Sequence, residues 1–83
     1  MTKKELNIIV GKNIKKYRQR YNEIYGKLTQ EDLAELINVS VSLISNLESS
    51  KSSKGIGITN LYKISIILKT PINKFFEEID DEL

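Results

Sequence analysis

The 83-residue chain is predicted to be all-α, with five helices in a single domain spanning residues 1–83. Two observations predict this fold class. Apolar residues recur three or four positions apart in successive segments, and no segment keeps the two-residue alternation of a strand. A chain this short also buries only about 60% of its unfolded surface, which limits it to one modest core.

The first helix is predicted over residues 3–21, because apolar residues follow helical spacing there while Lys and Arg fill most of the polar positions. A connection with Gly26 then covers residues 22–27. The apolar positions of this helix are Leu6, Ile9, Val10, Ile14, Tyr17 and Tyr21.

The second and third helices are predicted over residues 30–37 and 41–49. Thr29 and Ser40 precede them, and both hydroxyls are suited to accept a hydrogen bond from a first-turn amide. Asn38 lies between the helices and tolerates the left-handed backbone that a sharp turn requires. The inner side of the second helix is predicted to hold Leu33, Leu36 and Ile37.

Residues 29–48 therefore combine two short helices with a tight turn. Ala34, Ile44 and Leu47 fall where the two helices must approach closely. This is the layout of a helix-turn-helix, whose second helix enters the major groove of DNA.

A fourth and a fifth helix follow a polar loop over residues 50–57. Pro71 separates them, since proline is tolerated at the first position of a helix. The fourth, residues 58–68, is predicted to be apolar on the side of Ile58, Leu61, Tyr62, Ile64 and Leu68. The fifth, residues 72–79, has an apolar face of Ile72, Phe75, Phe76 and Ile79.

The net charge of +2 conceals an asymmetry. Five of the eleven acidic residues lie in the segment 77–83, which leaves six acids against thirteen bases in residues 1–76. A basic body with an acidic tail favours a polyanionic partner, although a solvated charged surface explains the same balance.

Several function classes are disfavoured by what the sequence lacks. Without Cys there are no disulfides or thiolate metal sites, and without His the commonest general base and metal ligand are missing. Most of the carboxylates lie in first turns of helices and in the tail, where capping and solvation account for them. We therefore expect no enzyme, no metal and no cofactor. The apolar runs are too short for a membrane span and no signal peptide is evident, so a cytoplasmic location is expected.

The third helix is predicted to present a face of short polar side chains. At 100° per residue, Ser42, Ser45, Asn46 and Ser49 share one side, opposite Ile44 and Leu47. Short hydroxyl and amide groups let a helix approach base edges closely while still offering hydrogen bonds. The alternative is a serine-rich exposed face without a function.

The segment LTQEDLAELINVSVSLISNLE resembles the helix-turn-helix of the Cro and repressor family of phage and bacterial regulators. The resemblance covers about residues 14–76, and the apolar fourth helix and the segment TPINKFF are similar to that family's fourth and fifth helices. It implies a compact, lambda-repressor-like five-helix domain, with residues 77–83 as an acidic tail outside the core.

The resemblance also implies roles for single residues. Gln30 matches a position that contacts the DNA backbone, and the loop lysines Lys51 and Lys54 match a segment that meets phosphates. Arg18 and Glu48 match an ion pair with a structural role. The positions that face the bases in the family are matched by Val41, Ser42, Ser45 and Asn46, and Ser49 continues this face.

Three departures from the family pattern stand out. Asn38 occupies the place of the usual turn glycine, and extra residues lie between Arg18 and Leu28. The third helix contains neither Arg nor Gln, the side chains that usually make the strongest base contacts.

The sequence thus predicts a double-stranded-DNA-binding transcriptional regulator of bacterial or phage origin, a repressor more readily than an activator. A homodimer is expected to bind an inverted-repeat operator, with Ile72, Phe76 and Ile79 at the interface and Phe75 directed inward. The alternative is an antitoxin-like protein that binds a partner protein and autoregulates its operon.

Overall fold

Four α-helices and one short 3-10 helix make up the described part of the chain, residues 1–50 and 55–78 of a computed structural model. These residues contain no strand, which agrees with the predicted all-α class. The helices are α1 (Lys3–Ile24), α2 (Gln30–Ile37), α3 (Val41–Ser49) and α4 (Ile58–Ile67), and the 3-10 helix is Ile72–Phe76.

The predicted fifth helix over residues 72–79 is wrong as an α-helix, because its described part forms only a 3-10 helix. Its amides bond three residues back: Lys74 N–H donates to the Pro71 carbonyl at 3.0 Å, and Glu77 N–H to the Lys74 carbonyl at 3.4 Å. Glu77 then adopts an extended backbone. A segment this short gains too few hydrogen bonds to offset the cost of starting an α-helix. Ile79 lies outside the described residues.

Helix α1 is longer than predicted and ends at Ile24 instead of residue 21. Residues 22–24 include no helix breaker, and the Tyr21 and Tyr25 rings stack one turn apart with centroids 5.0 Å apart. Gly26 then turns the chain with a φ of +126°, which a side chain would strain. The extra residues before Leu28 therefore lengthen the helix as well as the connection.

The core lies where α1 and α2 pack on the two sides of α3, while α4 and the 3-10 helix close the remaining side. Tyr17 of α1 contacts Phe75 edge to face, with ring centroids 5.4 Å apart. Phe75 is fully buried, so it points inward as predicted. The other fully buried apolar side chains are Ile14, Leu33, Ile44 and Ile64.

Three residues expected on inner helix faces are exposed instead: Leu36, Ile58 and Tyr62. On α2 the buried arc is narrow and runs through Leu33, Ala34 and Ile37, so Leu36 falls beyond its edge. On α4 the buried arc runs through Leu61, Ile64 and Ser65, and Ile58 and Tyr62 fall beyond its edge. Apolar spacing alone does not reveal which arc of such a helix faces the core.

A buried amide that sequence reasoning missed holds the end of the fold in place. Asn13 of α1 is 1% exposed, and its Nδ2 donates to the Phe75 carbonyl at 2.9 Å and to the Glu77 carbonyl at 2.8 Å. Both hydrogens of the amide are thus used. This pairing fixes the 3-10 helix against α1 by direct hydrogen bonds, in addition to the packing of Phe75.

Candidate nucleic-acid interface

The turn between α2 and α3 determines how α3 is presented. Asn38 has φ 60° and ψ 50°, the left-handed conformation that the sequence predicts, and Val39 N–H closes the turn on the Ala34 carbonyl at 2.9 Å. Ser40 then caps α3, since its hydroxyl accepts from Leu43 N–H at 3.1 Å. The chain therefore enters α3 at a fixed angle to α2.

The inner side of α3 is set by close packing against α1. Ile44 and Leu47 are buried, as expected from their spacing. A β-carbon at Gly11 of α1 would overlap the Leu47 carbonyl group, so the two helices approach to a distance that only glycine permits. Sequence reasoning missed Gly11, although a glycine in the middle of an otherwise strong helix was a signal of such an approach.

The outer side of α3 carries the short polar residues that the sequence groups together. Ser42, Asn46 and Ser49 are exposed, and Ser45 is half-buried. Val41 is 42% exposed at the start of the helix. Ser49 Oγ donates to the Asn46 carbonyl at 3.3 Å, which turns this hydroxyl back toward its own helix. The outer side of α3 is therefore a face of short side chains, with an exposed amide at Asn46 and an exposed aliphatic group at Val41.

Arg18 and Glu48 form a two-point ion pair that joins α1 to α3. The distances are 2.8 Å from Nε to Oε2 and 2.9 Å from Nη2 to Oε1, and the two side chains are 12% and 2% exposed. Arg18 Nη1 also donates to the Leu28 carbonyl at 3.1 Å. The hydrogen bonds to the Glu48 carboxylate raise the pKa of Arg18, so the guanidinium stays charged. This pair ties three segments of the chain together.

Gln30, the residue matched to a DNA-backbone contact, belongs to the same network. Its Nε2 donates to Glu48 Oε1 at 3.0 Å, and the residue is half-buried at the start of α2. An amide nitrogen has two hydrogens, so one remains for an outside acceptor such as a phosphate oxygen. The contact with Glu48 orients the amide while leaving that hydrogen available.

Two grooves with more basic than acidic residues flank the outer side of α3. One, of about 480 Å³, is lined by Lys12, Lys15, Lys16 and Gln19 of α1 together with Glu48, Ser49 and Ser50. The other, of about 360 Å³, lies beside Gln30 and includes Arg18, Lys27, Glu31 and Val41. Both grooves border the same surface, so cations surround the short polar face on two sides.

The loop lysines Lys51 and Lys54 lie outside the described residues, and their proposed phosphate contacts stay predictions. The described chain reaches Ser50, which ends α3 in a left-handed conformation with φ 58°. Its amide bonds to the Leu47 carbonyl at 3.4 Å. The loop thus departs from the end of α3 that borders the lysine-lined groove.

The residues expected at a dimer interface are only partly covered by the rest of the chain. Phe76 is 41% exposed and Ile72 is half-buried. Within the described part of the chain, the surface around these two residues is therefore partly apolar and accessible.

The described residues form neither a metal site nor a membrane span. No group of three or more acidic residues is clustered so that it could hold a metal ion. None of the described helices is both long and apolar enough to cross a membrane.

Comparison with known proteins accords with this geometry. A family model described as helix-turn-helix matches residues 26–75, which is more than half of the chain and includes α2, α3 and α4. No curated protein matches the chain. The family is one of DNA-binding regulators and is not typically enzymatic. The chain belongs to the Cro/C1-type helix-turn-helix family of DNA-binding transcription regulators.

Proposed function

We propose that this protein is a repressor that binds an inverted-repeat operator in double-stranded DNA as a homodimer, in the cytoplasm of a bacterium or as a phage product. The observation that carries the proposal is the outer side of α3, where short polar side chains lie exposed between two cationic grooves. A low face lets α3 enter the major groove, and the flanking cations suit the phosphates on either side. A repressor of this kind acts by covering DNA that the polymerase needs.

Within this proposal the side chains have different tasks. Asn46 is suited to pair with an adenine through two hydrogen bonds, and Val41 to contact a thymine methyl group. Ser42, Ser45 and Ser49 permit the close approach and add single hydrogen bonds. Gln30 and the lysines of α1, with Lys51 and Lys54, contact phosphates and carry no sequence information.

Substitution of Asn46 tests base recognition. Asn46→Ala should lose about 1–3 kcal/mol of discrimination at one or two base pairs and keep its non-specific affinity. The matched control is Asn73→Ala, which removes an exposed amide from the 3-10 helix, away from α3. Both proteins are compared with the parent by fluorescence anisotropy on the selected operator and on single-base variants. Equal preferences in all three proteins would show that the recognition face has been misassigned.

Salt dependence tests the phosphate contacts. The affinity for any duplex should fall steeply between low and moderate salt, because each neutralised phosphate releases counterions. Lys15→Ala should weaken operator and random duplex by the same factor and reduce the slope of affinity against salt. A flat salt response would contradict a phosphate-binding role for the cationic grooves.

The proposed dimer interface contains Ile72 and Phe76, with Ile79 as a further expected member. A two-fold arrangement implies half-sites about 34 Å apart, one turn of DNA. Phe76→Asp should therefore lower operator affinity and shift the sedimentation coefficient toward a monomer, with the circular dichroism spectrum unchanged. Tyr62→Asp is the control, because it places the same charge on another exposed aromatic position. A parent protein that stays monomeric at high concentration and protects one half-site would exclude the dimer.

A further inference from the structure

A groove of about 310 Å³ lies between the C-terminal half of α1 and the chain that links α4 to the 3-10 helix. We call it the tyrosine groove. Among the described residues, its lining contains three cations and no carboxylate. The cations are Arg20, Lys69 and Lys74, and the aromatic residues are Tyr17, Tyr21 and Tyr25.

The tyrosine groove faces away from the proposed DNA surface. Lys15 and Gln19 of α1 line the groove beside the end of α3, whereas Tyr17 and Tyr21 line the tyrosine groove. At 3.6 residues per turn, these two pairs lie about 160° apart around the helix axis. A duplex seated on α3 would leave the tyrosine groove open, so its cations are not explained by DNA binding.

The end of α1 forms one wall of the tyrosine groove. Helix α1 runs to Ile24, and Ile24 and the following Tyr25 line this wall. Both side chains are more than half exposed, Tyr25 at 55%. An accessible aromatic and an accessible aliphatic group side by side provide a place for an apolar side chain of a partner.

Lys69 forms the opposite wall in an unusual backbone conformation. Its φ is +54°, and its amide and that of Thr70 bond back to the Ile66 and Ser65 carbonyls at 3.2 and 3.0 Å to end α4. Glycine is the ordinary residue at this position, because a β-carbon is strained there. The lysine instead places Nζ 4.9 Å from the centroid of the Tyr25 ring. Lys69 thereby contributes an ammonium group to the wall that faces Tyr25.

The groove already has a carboxylate at its rim. Lys74 Nζ lies 3.6 Å from Glu77 Oε2, and both side chains are about half exposed. The Tyr21 and Tyr25 rings contact each other at a tilt of 40°, with centroids 5.0 Å apart, which leaves no space for a base between them. Cations beside an exposed aliphatic wall therefore fit an acidic peptide that contains an apolar residue better than a nucleic acid.

We propose that the tyrosine groove binds an acidic peptide segment of a partner protein. Carboxylates of the segment pair with Arg20, Lys69 and Lys74, and one of its apolar side chains packs on Ile24 and Tyr25. The regulator would then carry a protein-binding surface on the side opposite its DNA surface. This inference is independent of the proposed repressor function, and it gives the antitoxin-like alternative a defined surface.

The first test is a titration followed by NMR. Isotope-labelled full chain is mixed with the capped peptide Glu-Asp-Leu-Glu-Asp, with its Gln/Asn analogue, and with single-stranded oligothymidine. We expect saturable shifts of the Tyr25 and Lys69 amides with the acidic peptide, and at least tenfold weaker binding of the neutral analogue. The proposal is overturned if the neutral analogue binds equally well, or if only the oligonucleotide shifts these amides.

A substitution separates binding from folding. Lys69→Gly removes the ammonium group and relieves the backbone, so its unfolding midpoint should stay the same or rise while peptide affinity falls at least tenfold. Lys63→Gln is the control, because Lys63 is an exposed cation of α4 outside the groove. Duplex DNA affinity should change less than threefold in both variants. Retained peptide binding in Lys69→Gly, or an equal loss in Lys63→Gln, would refute the assignment.

Discussion

Replacement of Arg18 by methionine should strongly destabilise the fold while keeping much of the side chain's length. Glu48 accepts hydrogen bonds from Arg18 Nε and Nη2 and from Gln30, and its side chain is only 2% exposed. Arg18→Met leaves this carboxylate buried with a single neutral donor. Removing one partner of a buried pair costs about 3–5 kcal/mol, and the 12% exposure of Arg18 places the expectation near the lower end.

That loss is large relative to the stability available to a domain of this size. At typical values per residue, a chain of this length is stable by about 4–12 kcal/mol, so Arg18→Met should unfold at a much lower urea concentration. The measurement is urea unfolding followed by circular dichroism, with the free energy of unfolding extrapolated to water. Arg20→Met is the control, since it removes an exposed guanidinium from the same helix and should shift stability by less than about 0.5 kcal/mol.

The double variant Arg18→Met/Glu48→Leu separates the loss of the ion pair from the cost of leaving the Glu48 carboxylate buried without a partner. With both charges gone, no carboxylate is left buried, and the double variant should lie within about 1 kcal/mol of the parent. The coupling free energy from the cycle should then be at least about 2 kcal/mol. If the losses of the two single variants simply add, the pair is not coupled and its proposed role in joining α1 to α3 is refuted.

Further predictions concern the helix contacts and caps. Gly11→Ala should destabilise the protein by about 1–3 kcal/mol despite alanine's helix preference, since the new methyl group meets the Leu47 carbonyl. Thermal unfolding measures this loss, and a gain in stability would contradict the close approach of the two helices. Asn38→Gly should raise stability by about 0.5–1 kcal/mol at the left-handed turn position, again by thermal unfolding, and a loss would indicate that the asparagine side chain matters there. The hydrogen bond from Thr29 N–H holds the pKa of the Asp32 carboxyl below its ordinary value of 3.8. A lowered folded-state pKa stabilises the fold above the unfolded-state value, and this contribution disappears as the pH falls through the folded-state value. The parent should therefore have a higher midpoint of thermal unfolding than Asp32→Asn at pH 7, and no higher midpoint at pH 2. A difference that persists at pH 2 would contradict this account.

The sequence predicted the helix-turn-helix closely because its signals are local. Thr29, Ser40 and Asn38 each act on the backbone within a few residues, and the structure places each one at the cap or turn expected of it. The observed α2 and α3 therefore have the predicted bounds.

The remaining features depended on contacts between distant residues. The buried pairing of Asn13 with the Phe75 and Glu77 carbonyls joins residues more than sixty positions apart, which no local pattern signals. The exposure of Leu36 depends on how α2 packs against its neighbours. The 3-10 helix at residues 72–76 forms because so short a segment gains too few hydrogen bonds to offset the cost of starting an α-helix. The resemblance to a family, in contrast, pointed to Arg18 and Glu48 before the distance between them was known.

The central claim is that the outer side of α3 reads DNA sequence, and selection of binding sites from random duplex DNA tests it most directly. The parent protein should enrich an inverted repeat whose half-sites are about one helical turn apart, roughly 34 Å. Asn46→Ala should enrich the same repeat with one or two positions relaxed in each half-site. Failure of the parent to enrich any sequence, or an unchanged motif in Asn46→Ala, would contradict recognition through this face of α3.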